Sequence, residues 1–330
     1  MTTRVVAEEP AGVWSSVRSR VHARRIRSAA ILVPFFLLFG VLCLTSKPFS
    51  SRANLLDILD QQSATLIIAA AGTLVLIAGG IDLSVGAVYG FSAVVSAHFA
   101  LHQSAGLAIF LGIGAGLLIG IANGLVITTL RINSLIATLG MAFIINGCSN
   151  LVTNGNLLVL FNKTAFGELA RTEFLGVKTS IWLMVAVVIA FGLLLATTAA
   201  GRYMYAAGGN AEAARLAGVR VAGIRVLTFA LSGAAAGLAG VIDTSRVLSA
   251  QASPDDTTLA FTVLAGIVVG GTSIAGGEGA VWRSVVGVLF IALIGNGYLL
   301  LGYDPLYEQI TEGALLLLAV GLDAVSRRRG

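Results

Sequence analysis

Apolar runs long enough to cross a bilayer recur along this chain, and they constrain its fold more than any other feature. They centre near Phe36, Thr73, Ala93, Leu117, Phe143, Val188, Ala235, Ile267, Ile291 and Leu316. A helix needs about 20 apolar residues to span the hydrocarbon core, so ten such runs take up most of the 330 residues. Charged residues make up only 11% of the sequence against 57% apolar ones, too few to cover a water-soluble surface. The expected fold is an all-α polytopic membrane protein of about ten transmembrane helices. No room is left for a soluble catalytic domain.

The net charge of +5 then signals topology rather than nucleic-acid affinity. Arg18, Arg20, Arg24, Arg25 and Arg27 precede the first run, and Arg327, Arg328 and Arg329 follow the last. Ten spans put both termini on one side, and the positive-inside rule makes that side the cytoplasm. In this orientation 15 Lys and Arg fall inside and 6 outside. The chain divides into a basic cytoplasmic tail (1–28), a transmembrane domain (29–325) carrying a cytoplasmic loop at 201–223, and a basic C-terminal tail (326–330). The apolar run Ala29–Leu44 lacks an Ala-x-Ala cleavage site and reads as an uncleaved first span. Cys43 and Cys148, far apart within apolar runs, read as buried small hydrophobes.

The cytoplasmic loop carries the most specific pattern, Gly208-Gly209-Asn210-Ala211-Glu212-Ala213-Ala214-Arg215-Leu216-Ala217-Gly218. Asn210 is a helix cap, Glu212 stands in the first turn where a negative charge suits the dipole, and Gly218 ends the helix. Ala213, Leu216 and Ala217 share one face, and Glu212 and Arg215 another. A two-faced helix hung from a membrane domain is a handle for a soluble partner.

Within the spans, Gly112, Gly116, Gly120 and Gly124 form an every-fourth-residue ladder, and Gly233, Ala236, Gly237 and Gly240 suggest similar close contact in the seventh span. Both read as close helix–helix packing. Two further glycine motifs interrupt apolar runs: Gly79-Gly80-Ile81-Asp82-Leu83-Ser84-Val85-Gly86, and Gly270-Gly271-Thr272-Ser273-Ile274-Ala275-Gly276-Gly277-Glu278-Gly279. Irregular backbone at membrane depth survives only where protein or water satisfies its polar groups. A carboxylate there costs about 2.5–3.5 kcal/mol on insertion scales, so Asp82 caps the helix beginning near Ser84 or takes part in gating. The long outer loop from Thr153 to Ser180 covers a pore mouth, meets an external partner, or is simply solvated.

These motifs, in this order, together with Ile136-Ala137-Thr138-Leu139-Gly140 and Gly201-Arg202-Tyr203, resemble those of the membrane permeases of ribose-type ABC sugar importers. The similarity runs from about Phe49 to Val325. It implies a subunit of the bacterial cytoplasmic membrane that pairs with a second, identical or paralogous, permease. It further implies cytoplasmic ATP-binding subunits that carry the ATP and Mg, and an external solute-binding protein that delivers a monosaccharide. The Asn210 helix would couple to the ATPase; this chain would bind no cofactor and no metal, and it contains no phosphate-binding loop. Sugar hydroxyls need polar partners, which makes Asn123, Thr138, Asn146 and Asn150 the candidates for the solute pathway. The chain departs from the family at Ala260-Phe261-Thr262-Val263, where relatives commonly carry Glu-Leu-Asp-Ala, and at Glu278, where they often have Lys.

Two other classes compete. An ion-coupled carrier needs ionisable groups in mid-membrane, and only Asp82 and Glu312 approach that description. An intramembrane enzyme needs a base with a matched nucleophile or metal, and His98 and His102 have neither; they read as interfacial anchors.

Overall fold

A computed structural model describes residues 31–252, 256–304 and 306–328 of the chain. The described residues are mostly helical, as backbone polar groups in lipid require. Two apolar helices, α1 (Leu32–Thr45) and α3 (Ser63–Ile77), flank the polar α2 (Arg52–Gln61); α4 (Val85–His102), α5 (Ala105–Leu130) and α6 (Ser134–Thr153) follow. The segment 154–178 holds β1 (Leu158–Val159), α7 (Thr164–Arg171), β2 (Glu173–Phe174) and β3 (Val177–Lys178). Beyond it lie α8 (Thr179–Thr197), α9 (Ala199–Gly209), α10 (Ala211–Leu216) and α11 (Val221–Val247). The chain continues through β4 (Ser249–Ala250), α12 (Asp256–Val269), α13 (Val281–Leu301) and α14 (Leu306–Arg328).

Each of the ten expected centres falls in one of these helices. Six of them, α4, α5, α6, α8, α11 and α13, are individually long and apolar enough to cross a membrane. The pair α2–α3 qualifies together, bent by 51°. The bend coincides with Ser63, whose Oγ donates to Asp60 O at 2.7 Å, a side-chain intrusion of the kind that kinks helices. Both α1 and α12 are short, and α14 carries Glu308 and Glu312.

Helix α3 forms the centre, with every residue from Ser63 to Ile77 buried. Both stripes pack closely, and they meet each other: α11 packs most extensively on α5. A Cβ on Gly124 would come within 2.7 Å of Val226 Cα, and Gly116 and Gly120 press directly on the Gly233–Gly237 backbone. Such contact is possible only without side chains. Exposed Phe110, Leu118 and Leu125 cover the opposite side of α5, an apolar face suited to lipid.

Cys148 departs from expectation: it is exposed, and Cys43 is only half-buried. Cys148 shares the outward face of α6 with Phe143, Ile144 and Leu151. An apolar run in a membrane-spanning helix need not be buried in protein.

The segment 154–178 is anchored to the helical body at β1 and α7, while residues 171–176 are exposed. Strands β1 and β4 pair antiparallel, Leu158 opposite Ala250. Phe166 and Leu160 are buried, and Ser245 Oγ on α11 donates to Phe166 O at 2.7 Å and accepts the Ala170 amide at 3.1 Å.

Candidate functional site

Asn210 adopts extended dihedrals (φ −155°, ψ 99°), and its side chain accepts the Ala213 amide at 2.9 Å, satisfying a donor that a helix start leaves open. On α10, Arg215 Nη2 meets Glu212 Oε1 at 2.6 Å and Nε meets Oε2 at 3.2 Å. The guanidinium holds the Glu212 carboxyl below the ordinary carboxylate range. Both groups are solvated, so the pair fixes shape more than it stabilises. Gly218 (φ +86°) ends the helix: its amide donates to Arg215 O, and the Val219 amide to Ala214 O. Ala214 alone turns inward. Ala213 and Ala217 are exposed, and Leu216 is 77% exposed, an uncovered apolar group beside a fixed ion pair.

The glycines preceding α10 run into both other glycine motifs. A Cβ on Gly276 would lie 2.9 Å from Gly79 Cα and 3.1 Å from Gly208 Cα, and one on Gly277 would lie 2.7 Å from Gly209 Cα. Ile77 O, at the end of α3, accepts the Gly277 amide at 2.9 Å, and a Cβ on Gly208 would overlap that same carbonyl. Gly79, Gly276 and Gly277 take φ values of +78°, +87° and +74°, which only glycine adopts cheaply. Tyr205 Oη, one turn before Gly209, donates to Gly279 O at 2.8 Å. Three segments distant in sequence therefore meet backbone to backbone at the root of α10.

Between α3 and α4 the irregular stretch is satisfied from α6. The Ile81 amide donates to Ser134 Oγ at 3.0 Å and the Leu83 amide to Thr138 Oγ1 at 3.1 Å, as backbone at this depth demands. Asp82 Oδ1 accepts the Ser84 amide at 3.0 Å and its hydroxyl at 2.6 Å, while Oδ2 accepts Ser232 Oγ from α11 at 2.9 Å. Asn123 Nδ2 on α5 donates to Ser84 Oγ at 2.8 Å. Gly80 lies against the Phe229 ring, and Gly86 is buried in α4.

In the second motif, Thr272 Oγ1 lies 3.2 Å from Ser284 Oγ, which accepts Thr73 Oγ1 from α3 at 2.8 Å. Gly270 abuts Ser284 Cα, Gly271 has φ +86°, and the Ser273 amide donates to Glu278 O at 2.9 Å.

Of the four residues expected on the solute pathway, Asn123 and Thr138 are fully buried in this network, holding helices together. Asn146 is half-buried with an unpartnered Oδ1. Asn150 is exposed and donates Nδ2 to Asn146 O at 2.9 Å. Two half-open pockets of mixed lining lie elsewhere. One, of 460 Å³, is lined by Tyr89, Asp243, Thr244, Ser249 and Gln251 among apolar neighbours. The other, of 380 Å³, is lined by Gln62, Thr65, Thr262, Gln309 and Glu312 among others. Leu259 borders both. No spacing in the sequence joins these residues, whose elements are far apart in the chain.

Residues 54–320 match the family described as the branched-chain amino acid transport system permease component. The chain belongs to this permease family. Among its relatives, the ribose import permease protein of Escherichia coli strain K12 is 35% identical over 296 residues, 88% of this chain and 92% of the relative. The ribose import permease protein of Bacillus subtilis strain 168 is 36% identical, covering 87% and 90%. The L-arabinose ABC transporter permease protein of Azospirillum brasilense is 36% identical, covering 96% and 91%. No solved structure matches the chain. Membership makes this a transport subunit and not an enzyme. The permease also shows what fills its departure at 260–263. Ala260 and Val263 join the core, Phe261 faces outward, and Thr262 Oγ1 donates to Glu312 Oε2 at 3.1 Å. A carboxylate thus reaches this part of α12 from α14.

Proposed function

We propose that this permease is the membrane subunit of an ATP-driven importer that moves a monosaccharide, of ribose or arabinose size, across the bacterial cytoplasmic membrane. The relatives' names support the sugar: they are matched over nine-tenths of their length. Ten segments cross the bilayer, the bent α2–α3 pair counting as one and α1, α12 and α14 completing the set, with both termini cytoplasmic. The distribution of Lys and Arg, 15 against 6, supports that orientation and puts α10 inside. A second permease subunit completes the pore, cytoplasmic ATP-binding subunits carry ATP and Mg, and an external binding protein delivers the sugar. An ion-coupled carrier is not favoured, because the relatives include permeases named as ABC transporter subunits.

The observation that carries the reading is α10 itself: capped at both ends, exposed at Leu216, and rooted through Gly208 on Ile77 O and Gly277. Closure of the ATPases pushes α10. The push passes through main-chain contact to the end of α3 and to the 270–279 loop, the two places where spans are broken. Alternation between two packings follows, since packed interfaces switch rather than deform. The test is Leu216→Asp in the reconstituted complex. An exposed apolar anchor at an interface contributes about 2 kcal/mol or more, so ATPase association weakens roughly thirtyfold and uptake falls with it. Wild-type ATPase binding and uptake in this variant would refute the coupling role.

A further inference from the structure

The 460 Å³ cavity at the end of α11 has the size of a small-molecule site, about 300–1,000 Å³. Its polar wall is organised around one carboxylate. Tyr89 Oη on α4 donates to Asp243 Oδ2 at 2.6 Å, and Arg246 Nη2 pairs with Oδ1. Arg246 is itself fixed, its Nη1 donating to Asp60 O at 3.2 Å, while Arg171 Nε donates to Arg246 O at 3.0 Å. Each carboxylate oxygen retains a second acceptor direction, and Thr244, Ser249 and Gln251 add hydroxyl and amide groups around the same space. Asp243, the charged residue among the described lining, is paired with Arg246, which does not itself line the space. Leu157, Val247 and Leu259 supply apolar surface.

We infer that this cavity is the station at which a neutral polyhydroxylated ring docks on entering the permease; the inference rests on the import reading above. Hydroxyls donate to Asp243 and exchange bonds with Ser249 and Gln251, while the C–H face of the ring lies on the leucine and valine side chains. A branched-chain amino acid, suggested by the family's description, brings an ammonium and a carboxylate. Here Asp243 is already paired with Arg246, and the described lining offers an incoming carboxylate no cation. Leu259 also borders the second polar cavity, with Gln62, Thr65, Thr262 and Gln309, and forms the apolar partition the solute passes next.

The test uses the complete complex in proteoliposomes, with its ATPase and binding protein, and reads radiolabelled ribose or arabinose taken up per ATP hydrolysed. Tyr89→Phe keeps the ring and removes one bond to Asp243; Ser249→Ala removes a lining hydroxyl and leaves the ion pair alone. Losing a bond of this kind amounts to about tenfold, so the sugar-to-ATP ratio falls by about that factor in each variant. A merely structural role lowers uptake and hydrolysis together. An unchanged ratio in both variants, or competition of wild-type uptake by leucine but not by unlabelled sugar, overturns the site. Absence of ATP-dependent uptake of any pentose or hexose by the wild-type complex overturns the import reading and this station with it.

Discussion

The root of α10 and the end of α11 both tie together segments distant in sequence, and they do so by opposite chemistry. At the root of α10, Gly79, Gly208, Gly276 and Gly277 touch through main chain alone, with one amide–carbonyl bond from Gly277 to Ile77. At the end of α11 the ties are side chains and mostly charged. Asp243 joins Arg246 and Tyr89, and buried Asp60 takes Lys178 Nζ at 2.7 Å together with Ser180 Oγ. The first kind of contact depends on atoms being absent, so any added carbon breaks it. The second depends on specific groups being present, so loss of one partner weakens it while water fills in. Close approach without side chains leaves segments free to shift; a charged lattice holds them in register.

Substitutions at the two places distinguish these behaviours. Gly208→Ala has the largest expected effect, because its Cβ overlaps Ile77 O, a backbone atom that cannot rotate away. Overpacking of this kind costs about 3 kcal/mol, read as a lowered melting temperature of the purified permease, and the loss persists in high salt. Asp60→Asn comes next. Lys178 is 38% exposed and finds water, so the cost is about 2 kcal/mol, and it shrinks in 1 M KCl as screening weakens the wild-type pair. Asn210→Ala is the smallest, about 1 kcal/mol. It is confined to α10 and visible as faster amide exchange at Ala213 with the global melting temperature unchanged. A neutral Gly208→Ala, or a salt-independent Asp60→Asn, would erase the contrast.

The sequence exposes those features that follow from one segment's own periodicity or composition. Apolar runs declare the helices, the glycine ladder on α5 announces close packing, and Asn210 with Gly218 brackets α10. Features assembled from several helices leave no such trace. Ser134 and Thr138 satisfy the amides of Ile81 and Leu83, and Ser232 reaches Asp82 from 150 residues away. Hydroxyls are common in any membrane helix, and no spacing marks the few that face a broken one. Asn123 and Thr138 were legible as polar groups in spans, but a residue's own sequence neighbourhood does not say whether it meets solute or a neighbouring helix. The Tyr89–Asp243 cavity is invisible for the same reason, since its wall is drawn from α4, α11 and the segments flanking β1 and β4.

The bond from the Gly277 amide to Ile77 O has a physiological corollary. It contains no titratable group and no counterion, so acidification and ionic strength leave it untouched. Under the coupling proposed above, movement relayed through it is indifferent to ionic strength, and salt sensitivity concentrates instead at the Asp60 and Asp243 ion pairs.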